Sequence, residues 1–224
     1  MHDHLSIVKR PKETNDYNME TWEEIALRLA GQAGIATPQH ELIDVAGKTV
    51  MPSRRFDRHG HDGGEGRRAR QLSGDCRRPC AIWCSGKKDA HALYRRVVFS
   101  VPIPNVDDHL RNHGFLWLGK AGWSLSPAYD LNPVPTDLKA RVLTTNIDLD
   151  EGTCCVDLLE AASKFFALTL AQARAIIKEV ATVNAKWRAP AKMIGARSAE
   201  INRMASAFEH DDLKRALVLE AVRN

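Results

Sequence analysis

Asn105-Val106-Asp107-Asp108-His109-Leu110-Arg111-Asn112-His113-Gly114 packs two aspartates, two asparagines, two histidines and an arginine into one short loop. Phosphoryl transfer asks for a carboxylate that orients the attacking hydroxyl and, a few residues on, an amide oxygen that holds a magnesium ion. Asp107 and Asn112 have that spacing, whereas Asp108 is one residue too close to the amide and is expected to face elsewhere. A second carboxylate must then bring the metal to the phosphates, normally after a small hairpin. Phe115 to Leu118 and Trp123 to Leu125 alternate around Gly119 and Gly122 as such a hairpin. Asp130 follows it, in Leu125-Ser126-Pro127-Ala128-Tyr129-Asp130-Leu131-Asn132-Pro133.

Upstream, Ala90 to Phe99 carries a helical period and breaks at Pro102 and Pro104, whose fixed geometry bends the approach to the polar loop. Nearer the start, Leu5 to Lys9 predicts a short strand ending in a lysine. Thr21 and Glu24 form a capping-box pattern for a helix in which Trp22, Ala26, Leu29, Ala30 and Ala33 share a face. Glu41 to Val45 and Thr49 to Met51 predict a hairpin turned by Ala46-Gly47, leading into Ser53-Arg54-Arg55-Phe56-Asp57-Arg58. From Gly60 to Lys88 glycine, arginine and cysteine crowd together without periodicity, which predicts a loop of low order. Downstream the chain is helical: Val156 to Leu168 is amphipathic, Thr169 with Gln172 caps a helix running to about Trp187, and one or two more follow from Ser198.

Composition excludes several classes. With 224 residues, 44% hydrophobic and 27% charged, the chain can bury a substantial core as one domain or two small lobes. A net charge of +4 demands no polyanion. No apolar run approaches the roughly 20 residues of a membrane span, and the polar start lacks a signal peptide's apolar core, so the expected location is cytoplasmic. Five cysteines form no paired framework; Cys76, Cys80 and Cys84 lack the close pairs of a structural zinc site and are read as free thiols. His2, His4, His59 and His61 are read as solvated rather than metal-binding. Arg54, Arg55, Arg58, Arg67, Arg68 and Arg70 could touch nucleic-acid phosphates, but no aromatic platform or reading helix accompanies them.

Together, the segments 105–115, 125–133 and Arg55-Phe56-Asp57-Arg58 resemble the hallmark segments of the HipA family, bacterial serine/threonine kinases that act as toxins of toxin-antitoxin pairs. The resemblance implies an α/β (α+β), two-lobed, protein-kinase-like HipA fold with a small sheet-plus-helix lobe and a larger, mostly helical one. It implies Asp107 as catalytic base, and Asn112 and Asp130 as magnesium ligands. Lys9 resembles the lysine that contacts phosphate, with Glu23 as a candidate partner. Phe56 and its neighbours Arg54 and Arg55 resemble the hinge that receives adenine, and Asp57 is within reach of the ribose. His109, Arg111 and Tyr129 fall in the matching segments and are assigned to the nucleotide site with them. The implied cofactors are ATP and Mg2+, and the implied partner is a helix-turn-helix antitoxin of the HipB type, with DNA reached only through it.

The chain starts almost at the lysine strand, so the family's amino-terminal subdomain and its glycine- and serine-containing loop are expected to be missing. Residues 59–89 stand where the family has an activation segment. The expected organisation is 1–58 for a partial small lobe and hinge, 59–89 for a degenerate activation segment, and 90–224 for the helical catalytic lobe. Two functions fit: a kinase with intact or impaired transfer to a Ser/Thr hydroxyl, or a catalytically silent module that binds an antitoxin or has decayed from one that did.

Overall fold

The computed structural model describes residues 5–10, 17–57, 69–71, 86–148 and 150–220, with backbone alone for 69–71. The expectations for Cys76, Cys80 and Cys84, for His2, His4, His59 and His61, and for Arg58, Arg67 and Arg68 lie outside the described residues, and the side chain of Arg70 does too.

Strand β1 (Ser6–Lys9) leads to helix α1 (Met19–Gln32), and a tight hairpin of β2 (Ile43–Val45) and β3 (Lys48–Arg54) follows. The hairpin turn has positive φ at both Ala46 and Gly47, the twist that suits a two-residue connection. Asp44 accepts from the Gly47 N–H at 2.9 Å. β1 pairs antiparallel with β3, giving the order β1-β3-β2. Helix α1 starts earlier than its capping-box pattern implies. Asn18 is the cap, accepting from Thr21 N at 2.9 Å, because Glu24 is drawn into the protein by Arg28 and His40, each at 2.7 Å.

Backbone of the segment expected as loop includes a strand, β4 (Ala69–Gln71). It pairs with β5 (Gly114–Trp117), which pairs in turn with β6 (Trp123–Leu125). Helix α2 (Lys87–Ser100) ends before the two prolines, and Asn105 N–H closes the turn on Ser100 O at 3.0 Å. Helix α3 (Val156–Ala162) is shorter than the amphipathic stretch suggests. It tightens to a 3-10 turn over Ser163–Phe166 and is stopped by Ala167 at φ 57°. Helix α4 (Leu170–Asn184) carries the full Thr169/Gln172 capping box. It ends three residues before Trp187, and α5 (Arg188–Ile194) follows as a separate helix that the periodicity did not reveal. Helices α6 (Ser198–Phe208) and α7 (Asp211–Leu217) complete the described chain.

One hydrophobic cluster joins these parts. Trp22, Ile25 and Leu29 of α1 are at most 1% exposed and belong to the same core as Tyr94, Leu159, Ile177, Trp187 and Phe208. Helix α1 packs on β3, α4 and α5. Each such aliphatic side chain taken from water stabilises the fold by roughly 1.5–3 kcal/mol.

Candidate active site

The lysine at the end of β1 is not a solvated charge. Lys9 Nζ donates to both oxygens of Glu23, at 2.6 and 2.7 Å, and to Asp130 Oδ1 at 2.7 Å. Glu23 projects from α1 with 4% of its side chain exposed. It also accepts from the backbone N–H of Asp130 at 3.1 Å. Burial alone would lower the Lys9 ammonium, but the two carboxylates outweigh it and raise Lys9 above its ordinary value. Burial keeps Glu23 above the usual carboxylate range despite Lys9, while Lys9 overcomes the burial of Asp130 and holds it below that range. Asp130 has φ 61°, a left-handed backbone that aspartate tolerates better than most residues.

The residues on both sides of Asp130 are tied to residues on both sides of Asp107. Tyr129 OH donates to Arg111 O at 2.7 Å, and Asn132 N–H donates to Asn105 Oδ1 at 2.9 Å. The two segments therefore lie against each other. His109 Nδ1 is buried without a hydrogen-bond partner among the described residues. Asp107 is exposed, whereas Asn112 is buried and donates its amide Nδ2 to Asp107 O at 3.3 Å. That bond leaves Asn112 Oδ1 as an acceptor. Asp108 turns inward, as its spacing implies, and is 3% exposed.

The residues expected at the hinge are placed less uniformly. Phe56 lies with its ring 5.5 Å from that of Tyr129, linking the end of the small sheet to the Asp130 turn. Arg55 and Asp57 form a two-bond ion pair with each other. Arg54 is occupied with Gln39 through both backbone and side chain, on an exposed face. Behind the site, Arg96 of α2 donates to Ser126 O; burial pushes its guanidinium down to about 10, against the pull of Tyr129, Asp108 and Asp89. Sequence reasoning missed Arg96, Ser100, Asn105 and Thr145. Of these only Asn105 lies within the motif that carries the chemistry.

Magnesium prefers hard oxygen donors and keeps several waters and phosphate oxygens of its own, so two protein donors suffice. Asn112 Oδ1 and Asp130 Oδ2, neither hydrogen-bonded among the described residues, are of that kind. Among the described residues no group of three or more His, Cys, Asp or Glu could form an all-protein metal cage.

The family profile described as the HipA-like C-terminal domain matches residues 76–187, half of the 224-residue chain. The chain belongs to that family. Two solved structures share the fold of this HipA-like chain. One is the Shewanella oneidensis MR-1 toxin-antitoxin complex of HipA, HipB and its operator DNA, similar over 95% of this chain and 57% of the matched one, with TM-score 0.66 and 17% identity. The other is the Helicobacter pylori proinflammatory kinase CtkA, similar over 97% of this chain and 90% of its own, with TM-score 0.57 and 13% identity. The HipA-like chain thus spans just over half the length of the first of these. No curated protein matches it by sequence. The kinase-like HipA fold, with mixed helices and small sheets, is therefore established. No helix among the described residues is long and apolar enough to cross a membrane.

Proposed function

We propose that this chain is a HipA-like protein kinase that transfers the γ-phosphoryl group of ATP to a Ser/Thr hydroxyl. The observation that carries the reading is the meeting of Lys9, Glu23 and Asp130 beside the loop of Asp107 and Asn112. In phosphoryl transfer a lysine steadied by a helix carboxylate engages the phosphates, a carboxylate and an amide hold the metal, and a further carboxylate orients the nucleophile. Each role has a resident here. Lys9, steadied by Glu23, binds phosphate oxygens; Asp130 and Asn112 hold magnesium; Asp107 accepts the hydroxyl proton and aligns the attacking oxygen. The metal, when bound, supplies positive charge against the phosphates. Phe56, Arg55, Asp57, His109, Arg111 and Tyr129 border the nucleotide. We assign as partner a helix-turn-helix antitoxin of the HipB type, which the toxin-antitoxin neighbour suggests, with DNA contacted through it.

The test is transfer of label from γ-labelled ATP to a protein acceptor by the wild-type chain and by Asp107→Asn. Loss of a positioned general base lowers such rates by about 100- to 10,000-fold. Equal labelling by the two proteins sinks the proposal. A melting scan with magnesium-ATP is the second arm, since a ligand bound only by the folded state at 100 times its Kd adds about 2.7 kcal/mol of stability.

A further inference from the structure

We propose that Asp108 is the positioning residue of the catalytic loop: its buried carboxylate, gripped by Ser100 and His113, fixes the backbone that presents Asp107 and Asn112. The proposal rests on the kinase reading above and adds a residue to which no role in it has been given. Asp108 and Asp107 are adjacent but have opposite surroundings, one 3% exposed and the other open to solvent. A carboxylate taken out of water persists only if its oxygens are satisfied. Here each oxygen has its own partner: His113 Nε2 lies 3.0 Å from Oδ1, and Ser100 Oγ donates to Oδ2 at 3.0 Å. The backbone of Asp108 is held as well. Its N–H donates to Asn105 O at 3.0 Å, and its carbonyl accepts from Thr145 N–H at 2.9 Å.

The four contacts come from different parts of the chain. Ser100 is the last residue of α2, His113 follows Asn112 directly, Asn105 opens the loop, and Thr145 belongs to the segment running toward α3. Ser100 Oγ also receives Asn105 Nδ2 at 3.5 Å, and Asn105 Oδ1 receives Asn132 N–H. One buried web thus reaches from the end of α2, through Asp108, to the turn that carries Asp130. Its geometry sets where Asp107 and Asn112 stand without Asp108 touching any reacting group. Misplacement of a catalytic group by about 1 Å can slow a reaction about 100-fold.

The experiment compares the full chain with its Asp108→Ala, Asp108→Asn and Ser100→Ala variants by amide hydrogen exchange, melting temperature and steady-state phosphoryl transfer. The expected result for Asp108→Ala is faster exchange across residues 105–113 with α4 and α6 unchanged. It should also lower kcat by about 100-fold with KM for ATP nearly constant, the mark of an effect confined to the transition state. Asp108→Asn, which keeps shape and hydrogen-bonding reach, should recover most of the rate. Unchanged exchange at 105–113, or a rate that falls only as far as the folded fraction does, overturns the proposal, as does a raised KM at constant kcat. Should the wild-type chain transfer no phosphoryl group, the kinase reading falls, and the exchange data alone decide whether Asp108 holds the loop. If Asp108→Ala does not fold, Ser100→Ala removes a single donor and is judged by the same criteria.

Discussion

Lys9 and Asp130 are 121 positions apart in the chain and meet at 2.7 Å, with the same ammonium bound to Glu23. A single cation therefore joins the small sheet, helix α1 and the turn beyond the second hairpin. Lys9→Met keeps the length of the side chain and removes the charge, leaving Glu23 buried without its counter-ion. Breaking a fully buried pair costs about 3–5 kcal/mol, but Lys9 is one-third exposed, so the expected loss is about 1–2 kcal/mol. Urea titration measures it, and the same variant should lose phosphoryl transfer. Full activity in Lys9→Met contradicts the placement of the phosphates.

Tyr129→Phe preserves the ring on Phe56 and deletes the hydroxyl that reaches Arg111 O. A net hydrogen bond contributes about 1 kcal/mol to stability, so the melting temperature should fall by about 2–4 °C, and transfer should slow as the Asp130 turn loses its tie to Arg111. Tyr129→Ala removes the ring as well and should also weaken nucleotide binding. Kinetics at several ATP concentrations separate the two effects.

Trp22→Ala should be among the most damaging core substitutions. Trp22 is 1% exposed and lies 5.9 Å from Trp187 and 6.3 Å from Phe208, which stack on each other at 4.7 Å. The expected loss is about 3–5 kcal/mol by denaturant titration. The indole N–H has no partner among the described residues, so Trp22→Phe forfeits no hydrogen bond there and should be much milder.

Stability should fall in mild acid because of His210. Its Nδ1 accepts from Leu213 N–H at 3.2 Å to cap α7, and its Nε2 lies 3.0 Å from Pro102 O, so the ring is neutral with its proton on Nε2. Burial lowers the His210 pKa below the ordinary 6.5. A depressed folded-state value means the stabilisation is complete above 6.5 and is lost as pH falls through the lowered one. Melting temperature followed from pH 8 downward should show this loss, and His210→Asn, which keeps a capping side chain without titrating, should flatten it.

The candidate site could be proposed from sequence where chemistry fixes spacing. Asp107, Asn112 and Asp130 were chosen as candidates from the interval and the intervening hairpin, and the structure ties their two segments together through Tyr129 and Asn132. Lys9 and Glu23 needed the resemblance as well, since a lysine at a strand end carries little information alone. Local signals also located the Ala46-Gly47 turn and the Thr169 cap. What escaped depends on distant partners. Glu24 has a capping residue's spacing but is claimed by His40, sixteen positions away. Strand β4 exists through pairing with β5, across more than forty residues. The buried grip on Asp108 draws on Ser100 and Thr145, and nothing in their neighbourhood marks either as special.

Among the described residues the order β1-β3-β2 leaves a strand at each border of the small sheet, and β1 carries Ile7 and Val8, on opposite faces, each more than half exposed, next to an equally open Leu5. Border strands with uncovered aliphatic residues are templates for pairing with another chain. Concentrated solutions of this protein should accordingly self-associate through that border, and a lysine placed at position 7 is the natural remedy for a preparation that clouds.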